Sequence, residues 1–261
     1  MEFQIKDTTK CDLFVSLFQH IKQFTDFTNI LFQEERMYIQ CMDTACVVVF
    51  EIILPASWFD SSYQLTKGAV NLGVNTTMLY KVLTARDKTQ TIEIKSEDDK
   101  LNVQFLNPDT DCNKNVFNKQ FEIPLLDVQT ELMEIPEIDH QAEFTIPSVT
   151  FASLINQLRN FGDTMSVICS EESISLESFS IDLGKMSVNV SIDDLEEFAI
   201  EEGKQMELGF SLKYLHDICL YQKICKNISI GISEQTPLKA SYILDDNASL
   251  SFYLAPKVGD D

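Results

Sequence analysis

Two kinds of hydrophobic spacing alternate along the chain. Leu13, Phe14, Leu17, Phe18, Ile21 and Phe24 recur at helical period, while Lys10, Ser16, Gln19, Lys22 and Gln23 fall on the other side, so the spacing predicts an amphipathic helix. Phe151, Leu154, Ile155, Leu158 and Phe161 draw the same stripe later, with Asn156, Arg159 and Asn160 outside it. Shorter helical segments are predicted over 75–85 and 211–221, with Asn75 and Ser211 placed to cap their first turns. Other apolar runs, among them QTIEIKS, KLNVQFL, KMSVNVSI and SLSFYL, alternate with polar residues and predict strands with one wet face.

These elements occur twice. At an offset of 137, FVSLFQHIKQF from Phe14 lies on FASLINQLRNF from Phe151, and NILFQEERMYIQCM from Asn29 lies on SVICSEESISLESF from Ser166 without a gap. Both latter segments carry Glu-Glu between two apolar runs, so Glu34-Glu35 and Glu171-Glu172 are predicted to be equivalent hairpin turns. At offset 136, LGVNTTMLYKVL from Leu72 matches LGFSLKYLHDIC from Leu208, and TIEI from Thr91 matches NISI from Asn227. Four ordered matches at nearly one offset predict two tandem copies of one α+β domain, each an antiparallel sheet with two helices on one face, over 1–124 and 140–261. The stretch from Phe121 to Asp139, FEIPLLDVQTELMEIPEID, holds two Pro, no sustained period and several apolar residues among acids, and its 125–139 part separates the two copies. It reads either as an extended crossing linker or as a loop packing on its own domain.

Charge changes the picture from fold to surface. The 261 residues include 20 Lys plus Arg against 41 Asp plus Glu, a net charge of -21 that excludes a surface wholly devoted to polyanions. Over 8–24, 75–88, 148–162 and 211–226, however, nine basic residues face only three acidic ones, leaving net -27 on the rest. A solvated helix face is usually mixed in sign, so this segregation points to four helices that together meet a phosphate backbone without reading bases. The competing reading is four ordinary soluble helices.

Catalytic chemistry finds little to work with. Eight Gly in no rich run leave no material for a phosphate-cradling loop. Three dispersed histidines, His20, His140 and His216, share no metal-ligand spacing with one another or with cysteine. Seven scattered cysteines, with no C-x-x-C pair, read as small buried hydrophobes of a reducing compartment. Acidic clusters such as Glu97-Asp98-Asp99, Asp193 to Glu197 and Asp245-Asp246 fall where turns are expected. The opening MEFQIKDTT lacks the basic start and apolar stretch of a secretory leader, and the longest apolar run, Val47 to Pro55, carries Glu51, so neither leader nor membrane span is expected. No catalytic residue, metal or cofactor is assigned, and a hydrolase with a site hidden in the acidic loops is the minority reading.

LGVN, the LDV…IPE linker, IQCMD from Ile39 and the ending YLAPK from Tyr253, together with the repeat, resemble the proliferating cell nuclear antigen family of DNA sliding clamps along the whole chain. The resemblance implies a ring of three subunits closed head to tail, with helices lining a basic hole around duplex DNA. It implies a non-enzymatic nuclear processivity factor, without a cofactor, that docks polymerases, flap nucleases, ligases and the clamp loader. Each partner is expected to insert a short helical turn with one aliphatic and two aromatic anchors under the interdomain linker. Carried over by position, DNA contacts are Lys10, Lys22, Lys81, Arg86, Arg159, Lys213 and Lys223. The partner pocket comprises Met42, Cys46, Val47, Met133, Ile135, Pro136, Pro237, Tyr253, Ala255 and Pro256, although Met42 and Val47 also suit an ordinary core. Subunits are expected to join along edge strands over 114–121 and 183–191, through Val116, Phe117, Met186 and Val188.

Several positions depart from the family pattern. Cys46 stands where many relatives carry His, the linker is about two residues longer around 129–132, and Thr84, Ser153, Asn156 and Leu220 occupy places where Lys or Arg is common. Fewer channel charges imply weaker salt-dependent affinity or a different tilt of the duplex. Such divergence suits a viral or distant eukaryotic relative. An open monomeric or dimeric clamp, or one member of a heterotrimeric checkpoint-type ring, is the alternative architecture.

Overall fold

The computed structural model describes residues 1–60, 63–65, 68–107, 116–129 and 132–257. Its contacts divide the chain into two units, one of Met1–Thr44, Glu51–Met133 and Leu244–Ser249, the other of Ala45–Phe50, Glu134–Ile243 and Leu250–Asp261.

The first unit runs β1 (Glu2–Ile5), α1 (Thr8–Gln19), a 3-10 turn (Ile21–Gln23), β2 (Phe27–Phe32), β3 (Arg36–Met42), β4 (Val48–Pro55), β5 (Val70–Asn75), α2 (Thr76–Leu83), β6 (Thr91–Glu97), β7 (Lys100–Leu106) and β8 (Lys119–Pro124). Its strands form two antiparallel sets, β1-β6-β7-β8 and β4-β3-β2-β5. The second unit repeats this with β9 (Ala142–Pro147), α3 (Ser148–Leu158), β10 (Thr164–Cys169), β11 (Ser173–Ser180), β12 (Gly184–Ser191), β13 (Glu197–Ile200), β14 (Met206–Ser211), α4 (Leu212–Cys219), β15 (Asn227–Ile232), β16 (Leu238–Ile243) and β17 (Ser249–Leu254). Its sets are β13-β9-β15-β16-β17 and β12-β11-β10-β14. Omitting β13, the two units have one topology. Even β13 has a vestige in the first unit, the isolated bridge from Glu2 to Gln64.

Each unit therefore holds two strand sets rather than the single sheet expected from the alternation. Alternation reports one wet face per strand but not which strands share a sheet. The helix pairs bridge the sets: α1 touches β1 and β6 while α2 touches β5 and β8, and α3 lies on β9 and β15 while α4 meets β14. Phe14, Leu17, Phe18, Leu79 and Leu83 are buried beneath the first pair, and Phe151, Ile155, Leu158, Leu215 and Ile218 beneath the second. Each such side chain contributes about 1.5–3 kcal/mol through apolar burial.

Turn chemistry sets the boundaries. Asp7 caps α1, its carboxylate accepting from the backbone N–H groups of Thr9 (2.7 Å) and Lys10 (3.1 Å), and these bonds hold its pKa below the usual range. Asn75 caps α2 through Met78 N–H at 2.8 Å, as expected, whereas Ser211 precedes α4 without a side-chain cap bond. The Glu-Glu pairs are both two-residue hairpin tips, closed by Gln33 with Arg36 and by Ser170 with Ser173. Asp98 sits at the β6–β7 tip with φ 49°, a left-handed conformation that aspartate tolerates. β12 departs from the one-wet-face expectation: none of its side chains is buried, because none of the described residues covers this outermost strand.

Candidate nucleic-acid interface and docking surface

The helices expose mostly uncharged polar side chains. Thr77 on α2, Thr84 at its C-cap, and Thr150, Ser153, Asn156 and Gln157 on α3 face solvent, with Arg159 exposed at the α3 C-terminus. Lys22 in the 3-10 turn, Lys81 in the last turn of α2, Lys213 in the first turn of α4 and Lys223 beyond its end are also exposed. None of these five cations has an ion-pair partner among the described residues, although Lys213 lies 5.0 Å from the ring centroid of Tyr214. They can approach an external anion without first breaking a salt bridge.

Two expected contacts are occupied otherwise. Lys10 donates to the Asp246 carboxylate at 2.7 Å and to the Trp58 carbonyl at 2.9 Å, with its ammonium 5.4 Å from the Trp58 ring centroid. Arg86 is turned inward: its side chain is 3% exposed, paired to Asp12 and donating to the carbonyls of Lys88 and Gln90. A guanidinium committed to three internal acceptors is a tie between α1 and the loop leading to β6, rather than a phosphate contact. Sequence alone offered one signal for this, the lone Asp12 on a helix otherwise free of acids.

Several expected docking residues fall within each unit. In the first, Met42 ends β3 with 39% exposure and Met133 is exposed to a similar extent. The backbone of Met133 is clasped by Gln40, whose side-chain carbonyl accepts from Met133 N–H (2.7 Å) while its amide donates to Met133 C=O (2.9 Å) and to Tyr38 Oη (2.9 Å). Asn29 holds the linker carbonyl of Val128 at 2.8 Å, and Gly73 bridges Leu126. A Cβ at Gly73 would lie 2.2 Å from the Leu126 carbonyl oxygen, so only glycine lets the linker seat here. Asn29, Gln40 and Gly73 thus position the segment, and no periodicity or charge pattern marks them.

In the second unit, the chain after β17 runs beside the loop ahead of β4: Ala255 N–H donates to Val47 C=O at 3.0 Å. Cys46 is exposed with φ 58°, and Tyr253, Ala255 and Pro256 are half-buried. The Lys239 ammonium lies 6.0 Å from the Tyr253 ring centroid. Ile135 is half-buried, while Pro136 and Pro237 are exposed.

The expected ring-forming strands are the outermost members of their sets, β8 beside β7 and β12 beside β11. Met186 and Val188 on β12 are half-buried, as is Val116, whereas Phe117 is 73% exposed. Val116 and Phe117 precede β8 rather than belonging to it, held by Asn107 on Val116 C=O and Gln90 on Phe117 C=O. Lys114, Cys112 and the middle of the 129–132 insertion lie outside the described residues.

Among the described residues no group of three His, Cys, Asp or Glu could hold a metal ion, and no helix is long and apolar enough to cross a membrane. Burial raises the thiols of Cys11 and Cys169 to about 11 and that of Cys219 to about 12, keeping them protonated as packing groups.

Known proteins give one answer. The family model for the N-terminal domain of proliferating cell nuclear antigen matches residues 2–132, and that for its C-terminal domain matches 134–257. A proliferating cell nuclear antigen of Chaetomium thermophilum is 31% identical over 249 residues, covering 92% of this chain and 93% of the relative. A PCNA2–PCNA3 complex from Sulfolobus tokodaii includes a chain that superposes with a TM-score of 0.84 at 21% identity, covering 98% of this chain and 99% of that one, a likeness of fold. With both domains matched in order, on a duplicated topology whose helices carry the exposed cations, the chain belongs to the proliferating cell nuclear antigen family of DNA sliding clamps.

Proposed function

We propose that this protein is a homotrimeric sliding clamp that encircles duplex DNA in the nucleus and tethers replication and repair enzymes to it, performing no chemistry itself. The observation that carries the reading is the set of exposed cations on or beside the helices, Lys22, Lys81, Arg159, Lys213 and Lys223, without ion-pair partners among the described residues, in a chain of net charge -21. A few point charges among hydroxyls and amides attract phosphates without reading bases and without holding one register, which sliding requires. Retention then comes from topology rather than affinity. β8 of one copy is proposed to pair with β12 of the next, with Phe117, Val116, Met186 and Val188 in the seam.

Polymerases, flap nucleases, ligases and the loader are proposed to dock through a short motif with apolar and aromatic anchors. Its contacts are Met42 and Met133 beside the Gln40 clasp, with Cys46, Val47, Ile135, Pro136, Pro237, Tyr253, Ala255 and Pro256. Exposed thioether and proline surface fits aromatic anchors.

The test is retention on DNA with a clamp loader and ATP. On a nicked circle the protein should remain through a high-salt wash and leave once the circle is cut. Equal loss from circular and linear DNA would exclude encirclement.

A further inference from the structure

The second unit contains a groove on the face of β9, β15 and β16 opposite α3. Small residues make its floor: Ser229, Gly231 and Ser241 leave a cavity of about 390 Å³, which continues past Thr145 and Ser229 into a neighbouring hollow of about 340 Å³. The floor hydroxyls are tied together, Thr145 to Ser229 at 2.9 Å and Ser241 to Ser251 at 2.9 Å. Gly231 cannot be larger, because a Cβ there would lie 2.4 Å from the His140 ring. None of the ten expected docking residues lines either hollow.

The walls combine carboxylates with apolar surface. Glu143 projects from β9 and Glu197 from β13, and neither has an ion-pair partner among the described residues. Two lysines also reach the hollows: Lys226 pairs with Glu196 at 3.3 Å, and Lys239 lines the groove with its ammonium 6.0 Å from the Tyr253 ring centroid. Ile243, 60% exposed, and Phe198 supply apolar walls. Two carboxylates with no ion-pair partner among the described residues, Glu197 also accepting from the Thr145 hydroxyl at 3.5 Å, repel an anion and leave a purely apolar ligand facing charge. An amphipathic cation satisfies both, with its alkyl stem on Ile243 and Phe198 and its head at the carboxylates. Guanidinium suits this better than ammonium, being planar, bidentate toward carboxylate and weakly hydrated.

We infer that this groove is a second partner-docking site, taking an extended, arginine-bearing segment of a partner protein with Glu143 and Glu197 as its charge contacts. It lies wholly in the second unit and does not depend on the ring or on the first docking site.

The test uses the full chain and a labelled hexapeptide alternating leucine and arginine, compared with the same peptide carrying citrulline for arginine. Binding is followed by anisotropy and by the methyl resonances of Ile243 and Ala199. The arginine peptide should shift those methyls, and citrulline or the Glu143→Gln/Glu197→Gln double variant should weaken it about tenfold or more, as for loss of charge-assisted bonds. Glu93→Gln/Glu97→Gln, which removes equal charge from β6, should leave affinity unchanged. Equal binding of the two peptides would overturn the inference, as would equal losses in the two double variants or no binding at about 1 mM. Dilution-dependent shifts of the same methyls without peptide would assign the groove to a second copy of this chain and overturn it too.

Discussion

Lys81 and Arg86 are five residues apart and of one charge, yet the structure gives them opposite duties. Lys81 is exposed on α2, while Arg86 is buried against Asp12 and two carbonyls. Lys81→Ala should leave the melting temperature unchanged and reduce the salt dependence of DNA binding by about one phosphate contact per subunit, a slope change of about 0.9. Arg86→Ala should destabilise the fold by about 1 kcal/mol, since it removes hydrogen bonds to the part-buried Gln90 carbonyl and the exposed Lys88 carbonyl, with the exposed Asp12 adding little. Chemical denaturation beside a salt titration separates the two. A count of charges along the sequence located the basic helices but could not tell a free cation from an internal tie. That distinction depends on where a side chain points, as Lys10 on Asp246 also shows.

His140 offers a second test at this scale. Burial lowers its pKa, with Glu143 and Asp139 opposing and Lys239 reinforcing the shift. The unfolded chain therefore binds the proton more readily, so the stability linked to His140 is complete above the ordinary histidine value of about 6.5 and is lost as pH falls below it toward the folded value. His140→Gln should flatten that part of the stability curve relative to the parent, measured by denaturation from about pH 7 down to 5. A parallel curve would show that the ring does not titrate between the two states.

At the scale of elements, three of the contacts that hold the linker depend on a small or amide side chain, at Gly73, Asn29 and Gln40. Gly73→Ala forces a methyl against the Leu126 carbonyl and the Val128 side chain at 2.9 Å. The expected cost is about 1–3 kcal/mol, as for other overpacked sites. Backbone amides over 126–133 should exchange faster with solvent, and a docking peptide should bind more weakly; unchanged exchange would mean that the bridge to Leu126 does not restrain the linker. Helices, the doubled order of elements and the hairpin tips at the Glu-Glu pairs were all legible, because each leaves a period or a repeat. Gln40 was not, since it sits in a strand whose apolar pattern says nothing of a buried amide clasping Met133. The grouping of strands into two sets per unit was equally hidden, because pairing partners are far apart in sequence.

For the whole molecule, the question is whether its two unlike edges find each other. β8 and β12 end different strand sets, so pairing them is heterologous and repeats with each added copy until the rotation closes. Lysines commonly guard such edges, but here they are drawn away: Lys119 holds Asp87 and the Ala85 carbonyl, and Lys185 holds Glu177. The apolar Met186 and Val188 are thereby left beside an edge with little repulsion. A closed trimer would have three times the 29.8 kDa subunit mass, 89.4 kDa, and light scattering during size exclusion should return that value across a dilution series. Val188→Asp should give about 30 kDa with an unchanged circular dichroism spectrum, since β12 buries no side chain and charge there disturbs the seam alone. A parent that is monomeric at every concentration would withdraw the β8–β12 seam and favour an open clamp or a ring completed by a different chain. A Val188→Asp variant that stays trimeric would place the seam elsewhere while leaving the ring intact.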